Sequence, residues 1–143
     1  MRFSLLMLLM VTAPLMAQDA PAGFEAARFM PLAPGQWSYT PTLGGSEARF
    51  GGRFAIQCDR NMRRVILRRA ELAMTSPATP MIVTTDLAVH TLPANGILVN
   101  TNRALDAIAF SRGRFVVSGG GSSSQLVAPS SPEAARTIED CRN

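Results

Sequence analysis

Lysine is missing from this chain: all 14 basic residues are arginine, set against 10 acidic ones. A guanidinium stays protonated at any physiological pH, so the formal charge of +4 is a modest bias that cannot be titrated away. Histidine occurs once, His90, and cysteine twice, Cys58 and Cys141, which is too small a ligand set for a metal site. The run "GGGSSS" lacks the lysine of a phosphate-binding loop and opens no helix, so it reads as a hairpin tip. Aromatics make up 6% of the chain, and with so little net charge nucleic acid is excluded as a partner. No cofactor is called for. Beyond the first residues no apolar run approaches the roughly 20 needed to span a bilayer, so no stable membrane insertion is expected.

The opening "MRFSLLMLLMVTAPLMAQDA" has a positive Arg2, an apolar run from Phe3 to Val11, a break at Pro14 and a small residue at Ala17. That is the layout of a secretory signal, expected over residues 1–17 with cleavage after Ala17. The first cysteine lies far from the cut, so no thiol is placed there for a lipid anchor, and a periplasmic or secreted location follows. In an oxidising compartment two cysteines are expected to form one bond, Cys58 to Cys141, closing a very long loop and pinning the C-terminus to the middle of the chain.

From Gln18 the sequence reads as an extended N-terminal arm over 18–35, punctuated by Pro21, Pro31 and Pro34, with at most a short helical turn around Phe24 to Met30. Residues 36–143 then form one β-rich domain. "QWSYTPTLGGSEARF" predicts two extended segments about Gly44 and Gly45, and "RFAIQC" places Phe54, Ile56 and Cys58 on one face. "DRNMRRVILRRAEL" fits both a helix and a strand; β-branched Val65 and Ile66 and the turn-forming "DRN" favour a strand paired with its predecessor. "TSPATP", residues 75–80, is a loop and "MIVTT" a strand. Asn95-Gly96, between two apolar runs, is the strongest short hairpin signal in the chain. "NRALDAIAFSRG" predicts a short helix capped by Asn102 and ended near Gly113, and "RFVVSGGGSSSQLVA" two further strands. "SSPEAARTIEDCRN" predicts a final helix capped by Ser130 or Ser131, with Pro132 and Glu133 in its first turn and Ala134, Ile138 and Cys141 on one face. The expected fold is mainly β (α+β): a compact antiparallel sandwich or partly open barrel with a short helix and a stapled C-terminal helix.

No catalytic set emerges. Asp86 and His90, taken as lying on one side of an extended segment, would stand about 13 Å apart. What remains are arginines: Arg64 and Arg68 within the proposed hairpin and Arg112 and Arg114 around Gly113. A guanidinium fork suits carboxylates and phosphates, so these four are the candidate contacts for an anionic envelope polymer or envelope protein. The competing reading pairs the hairpin arginines internally with Glu133, Glu139 and Asp140 on the final helix.

The order of Trp37-x-Tyr39, "IQCD", "LDAIAFSRGRF" and "PEAARTIEDCR" resembles small exported proteins of unknown function from Gram-negative bacteria, "FSRGRF" and "IEDCR" being the most specific parts. The layout of strands followed by a cysteine-bearing last helix is similar to that of invasion-associated locus B proteins, whose additional cysteines are missing here. Neither resemblance implies an activity or a catalytic residue. The function expected is therefore a non-enzymatic binding or interaction module of the cell envelope, the alternatives being an envelope hydrolase with a site near His90 and a hydrolase inhibitor. Oligomeric state is not legible in the sequence.

Overall fold

A computed structural model describes residues 22–69, 80–120 and 122–143. The expected signal, residues 1–17, and the 75–79 part of the expected loop lie outside them. Two antiparallel sheets stack on one another. The first takes the order β1 (Trp37–Thr42), β2 (Gly45–Phe50), β3 (Phe54–Asp59), β4 (Arg64–Arg69), β7 (Ile97–Val99). The second runs β6 (Val89–Leu92), β5 (Met81–Thr84), β8 (Arg114–Gly119), β9 (Ser122–Pro129). The expected sandwich is the fold that forms.

Period-two alternation places its core. Along β3, Phe54, Ile56 and Cys58 are buried while Ala55, Gln57 and Asp59 between them are half-buried. From the other sheet Val83, Phe115, Val117 and Leu126 face them in one continuous cluster. Trp37 seals this cluster at one edge: its ring lies 5.4 Å from Phe50 and 6.3 Å from Phe115, and its indole Nε1 donates to the Pro129 carbonyl at 2.9 Å. The stretch around Arg64 is a strand, as expected, because Val65 and Leu67 reach the core only at strand spacing. Its turn is set by Asp59, whose Oδ1 accepts from the Met62 amide at 3.1 Å, with Arg63 at a left-handed φ of 49°.

Helix α2 (Arg103–Ala109) begins at Asn102, whose side chain accepts from the Ala104 amide at 2.9 Å. Its C-cap is Phe110, so Gly113, at φ 77°, belongs to the following turn into β8. Helix α3 (Pro132–Asp140) is capped by Ser131. That choice puts Ala134 at the third helical position and Glu133 at the second, outside the reciprocal capping geometry. Ser130 instead hydrogen-bonds the Ser111 hydroxyl at 2.7 Å. Ala134, Ile138 and Cys141 are buried against the first sheet, and Cys141 is bonded to Cys58 across a separation of 83 residues.

Two expectations fail. Asn95-Gly96 does not join a hairpin: β6 belongs to the second sheet and β7 to the first, so the turn is where the chain changes sheets. The two-residue hairpin turns, types I′ and II′, both need the first central residue at positive φ, and Asn95 is not at positive φ. The hydrogen bond from the Gly96 amide to the Pro93 carbonyl, 2.9 Å, makes Gly96 the last residue of a four-residue turn, and its carbonyl accepts from Leu67 of β4. The N-terminal arm, expected to be extended with at most a short helical turn around Phe24 to Met30, carries a longer, seven-residue helix, α1 (Ala22–Arg28). Ala27 packs with Val116 and Val127 on the outer face of the second sheet, and Phe24 is buried there as well. Burying Phe24 and Ala27 together requires helical spacing, which the surrounding prolines concealed.

Candidate functional site

The four candidate arginines separate into two surface clefts. Arg64 and Arg68 lie at alternate positions of β4 on the outer face of the first sheet. They line a shallow groove of about 380 Å³ with Thr42, Gln57 and Asp59. Arg64 is engaged by Asp59, Nε to Oδ2 at 3.2 Å. Arg68 is exposed and makes no side-chain hydrogen bond or ion pair among the described residues.

Arg112 and Arg114 face a second cleft, about 390 Å³, where α1 crosses the outer face of the second sheet; Phe24, Arg28 and Asp86 complete its lining. Strand parity sends Phe115 and Val117 inward and leaves Arg114 outward, beneath the C-terminus of α1. There its Nη1 donates to the Ala27 carbonyl at 3.1 Å, which also accepts from the Met30 amide, and to the Met30 carbonyl at 2.8 Å, closing the end of the helix. Arg114 is thus fixed in place and holds the wall of the cleft. Arg112 is not: its side chain is 86% exposed, and its nearest carboxylate, Asp86, stands 3.9 Å away. Arg28, to which the sequence gave no role, pairs with the exposed Glu25 at 3.0 Å. Three guanidinium groups therefore face a cleft whose own lining offers one carboxylate.

Among the described residues, internal pairing with α3 is made by Arg60, in the turn before β4, and not by Arg64 or Arg68. Arg60 donates to the Asp140 carbonyl at 2.9 Å and lies 3.8 Å from its carboxylate. Glu139 is taken by Arg142, which also reaches Asp106 at 2.7 Å, so α3 is tied to α2 by arginine as well as by apolar packing. Asp140 is further held by the hydroxyls of Tyr39 and Ser46, both at 2.7 Å, while Arg136 lies 4.1 Å over the Tyr39 ring. Burial pushes the Asp140 carboxyl up, but the Ser46 and Tyr39 hydroxyls and the charges of Arg60 and Arg136 outweigh it and hold the group below its ordinary range. This cluster works as a fastener for the last turn of α3.

Asp86 and His90 do not share an extended segment. Asp86 sits in the turn between β5 and β6, which Thr85 organises by accepting from the amides of Leu87 and Ala88, and its carboxylate faces the Arg112 backbone amide at 3.5 Å. His90 is on edge strand β6, opposite Val83, and its side chain makes no hydrogen bond among the described residues. A base oriented by a carboxylate, the minimal requirement for an activated nucleophile, is not assembled there.

Among the described residues no group of three or more histidine, cysteine or acidic side chains is placed to hold a metal ion. Arg69, at the end of β4, is 5% exposed, and its Nη1 donates to the Ser124 carbonyl at 2.9 Å, linking β4 to β9. Comparison with known proteins finds no matching family model, no matching curated protein and no matching solved structure.

Proposed function

We propose that this chain is an exported, non-enzymatic recognition module of the cell envelope, periplasmic or secreted, and that it binds an anionic partner in the cleft between α1 and β8. The observation that carries this reading is the state of Arg112: an 86% exposed guanidinium, 3.9 Å from its nearest carboxylate, in a cleft shared with Arg28 and Arg114. A carboxylate or phosphate entering the cleft would take up donors that the fold leaves open, with Asp86 and Arg114 fixing the walls and Phe24 an apolar floor. Arg68 in the other groove is a lesser candidate, because Asp59 already engages its neighbour Arg64. The leader and the buried disulfide support an oxidising compartment, where anionic polymers and lipids are abundant.

The test is crosslinking capture from a native envelope fraction, with the parent chain beside Arg112→Glu and Arg28→Ala variants whose melting temperatures match it. A contact made by the parent and lost by the variants fits the proposal. Capture that survives reversal of Arg112 places the contact elsewhere and sinks the assignment.

A further inference from the structure

Phe29, Met30, Pro31 and Leu32 follow α1 directly, and all four face solvent: Phe29 is 87% exposed, Met30 37% and Leu32 43%, with Pro31 exposed as well. An exposed run of consecutive apolar residues is a departure that calls for a function. The backbone around it is anchored rather than loose. The Met30 amide donates to the Ala27 carbonyl at 3.2 Å, the Met30 carbonyl accepts from Arg114, and the Ala33 amide donates to the Val127 carbonyl at 2.9 Å. The side chains are therefore held outward by bonds on either side of them. Cations stand beside the run: Arg28 precedes Phe29, Arg114 grips the Met30 carbonyl, and Arg112 opens the cleft under α1. Phe110, two residues before Arg112, is another aromatic side chain in solvent, 67% exposed.

Outward apolar side chains beside permanent cations match a lipid interface, where rings and aliphatic chains enter the acyl boundary and guanidinium groups meet phosphates at the headgroup level. We infer that residues 29–32, with Arg28 and Arg112, dock this protein peripherally onto an anionic phospholipid surface. The inference rests on the anion-binding reading above and names the lipid phosphate as the anion. A lipid surface suits the geometry better than a protein pocket would, since a Phe29 that touches almost nothing of its own chain needs a deformable medium that closes around it.

The test is co-sedimentation of the exported chain with vesicles of phosphatidylglycerol and phosphatidylethanolamine, and with phosphatidylcholine vesicles as the uncharged control. The expected result is binding to the anionic vesicles that weakens with added salt. It should fall at least about ten-fold in a Phe29→Ser/Leu32→Ser variant and about five-fold or more in Arg112→Glu. Both variants should melt with the parent, because the replaced side chains pack on little. Vesicle binding unchanged in Phe29→Ser/Leu32→Ser overturns the lipid inference. Arg112-dependent binding of inorganic phosphate or polyglutamate without vesicle binding overturns it too, while leaving the anion reading in place. Failure to bind either probe removes both. Self-association abolished by Phe29→Ser, with no vesicle binding, would make the run a contact between copies and also overturn the lipid assignment.

Discussion

Replacing Cys58 and Cys141 together by alanine removes a covalent tie whose two ends lie 83 residues apart. In the chain-entropy picture a loop of that length restricts the unfolded ensemble by about 4.5 kcal/mol. The native side should change little. Ser131 still caps α3, Ala134 and Ile138 stay buried, Arg60 still holds the Asp140 carbonyl at 2.9 Å, and Asn100 the Cys141 carbonyl at 2.8 Å. The far-ultraviolet circular dichroism of the folded variant should therefore match the parent, while its melting temperature drops. For a chain of this size 1 kcal/mol corresponds to roughly 3–5 °C, so the full effect is about 14–22 °C. Alanine is the better replacement because both positions are almost fully buried and a serine hydroxyl would add its own desolvation cost. A denaturant titration separates the two states: loss of the cross-link should raise the slope with denaturant, since the freed chain expands further on unfolding. If mass spectrometry shows the parent oxidised and the variant nonetheless melts within about 2 °C of it, the tie is not a significant source of stability and the entropic argument is wrong.

Asp140 sets an acid limit. Its carboxyl titrates below the ordinary 3.8 in the folded chain, so the stabilisation is fully present above that value and is lost as pH falls through the lower folded value. Melting temperature should decline below about pH 4, and Asp140→Asn should flatten that acid limb, as differential scanning calorimetry across pH 2–6 would show. Gly96→Ala, at φ 67° and with the new methyl directed at the Leu67 carbonyl, should cost at least about 2 kcal/mol in urea unfolding. A loss below about 0.5 kcal/mol would mean the sheet-changing turn relaxes freely. Trp37→Phe removes the indole donor to Pro129 and should cost about 1–3 kcal/mol, read from the same unfolding curves.

The strands were legible wherever one side of a segment is apolar, as in Phe54, Ile56 and Cys58, because the two-residue period of a sheet leaves a direct imprint. The inward face of α3 was legible for an equally local reason, and the pairing of Cys58 with Cys141 because two cysteines allow a single bond. The role of Asn95-Gly96 was not. The dipeptide specifies a tight turn, but whether the chain returns to its own sheet or enters the other is decided by Leu67, which bonds the Gly96 carbonyl from far away in sequence. The full length of helix α1 was hidden by nearby prolines, and it is held by Ala27 packing on Val116 and Val127, a surface that exists only once β8 and β9 have paired, and by the burial of Phe24.

For the candidate site, the residue types were readable and their grouping was not. That arginine carries the basic charge follows directly from composition. Nothing in the sequence brought Arg28 beside Arg112, or showed that Arg114 caps a helix and that Asp59 occupies Arg64. A fixed charge has a chemical meaning in sequence, but its availability is a property of the fold, since a partner from any distant segment can occupy it.

The most direct test of the recognition site is amide chemical-shift mapping of the isotopically labelled chain during titration with inorganic phosphate and with polyglutamate. The expected result is salt-sensitive perturbation centred on Arg28, Arg112 and Gly113, abolished in Arg112→Glu. No perturbation with either anion, or perturbation centred on Arg64 and Arg68 instead, would contradict a binding cleft between α1 and β8.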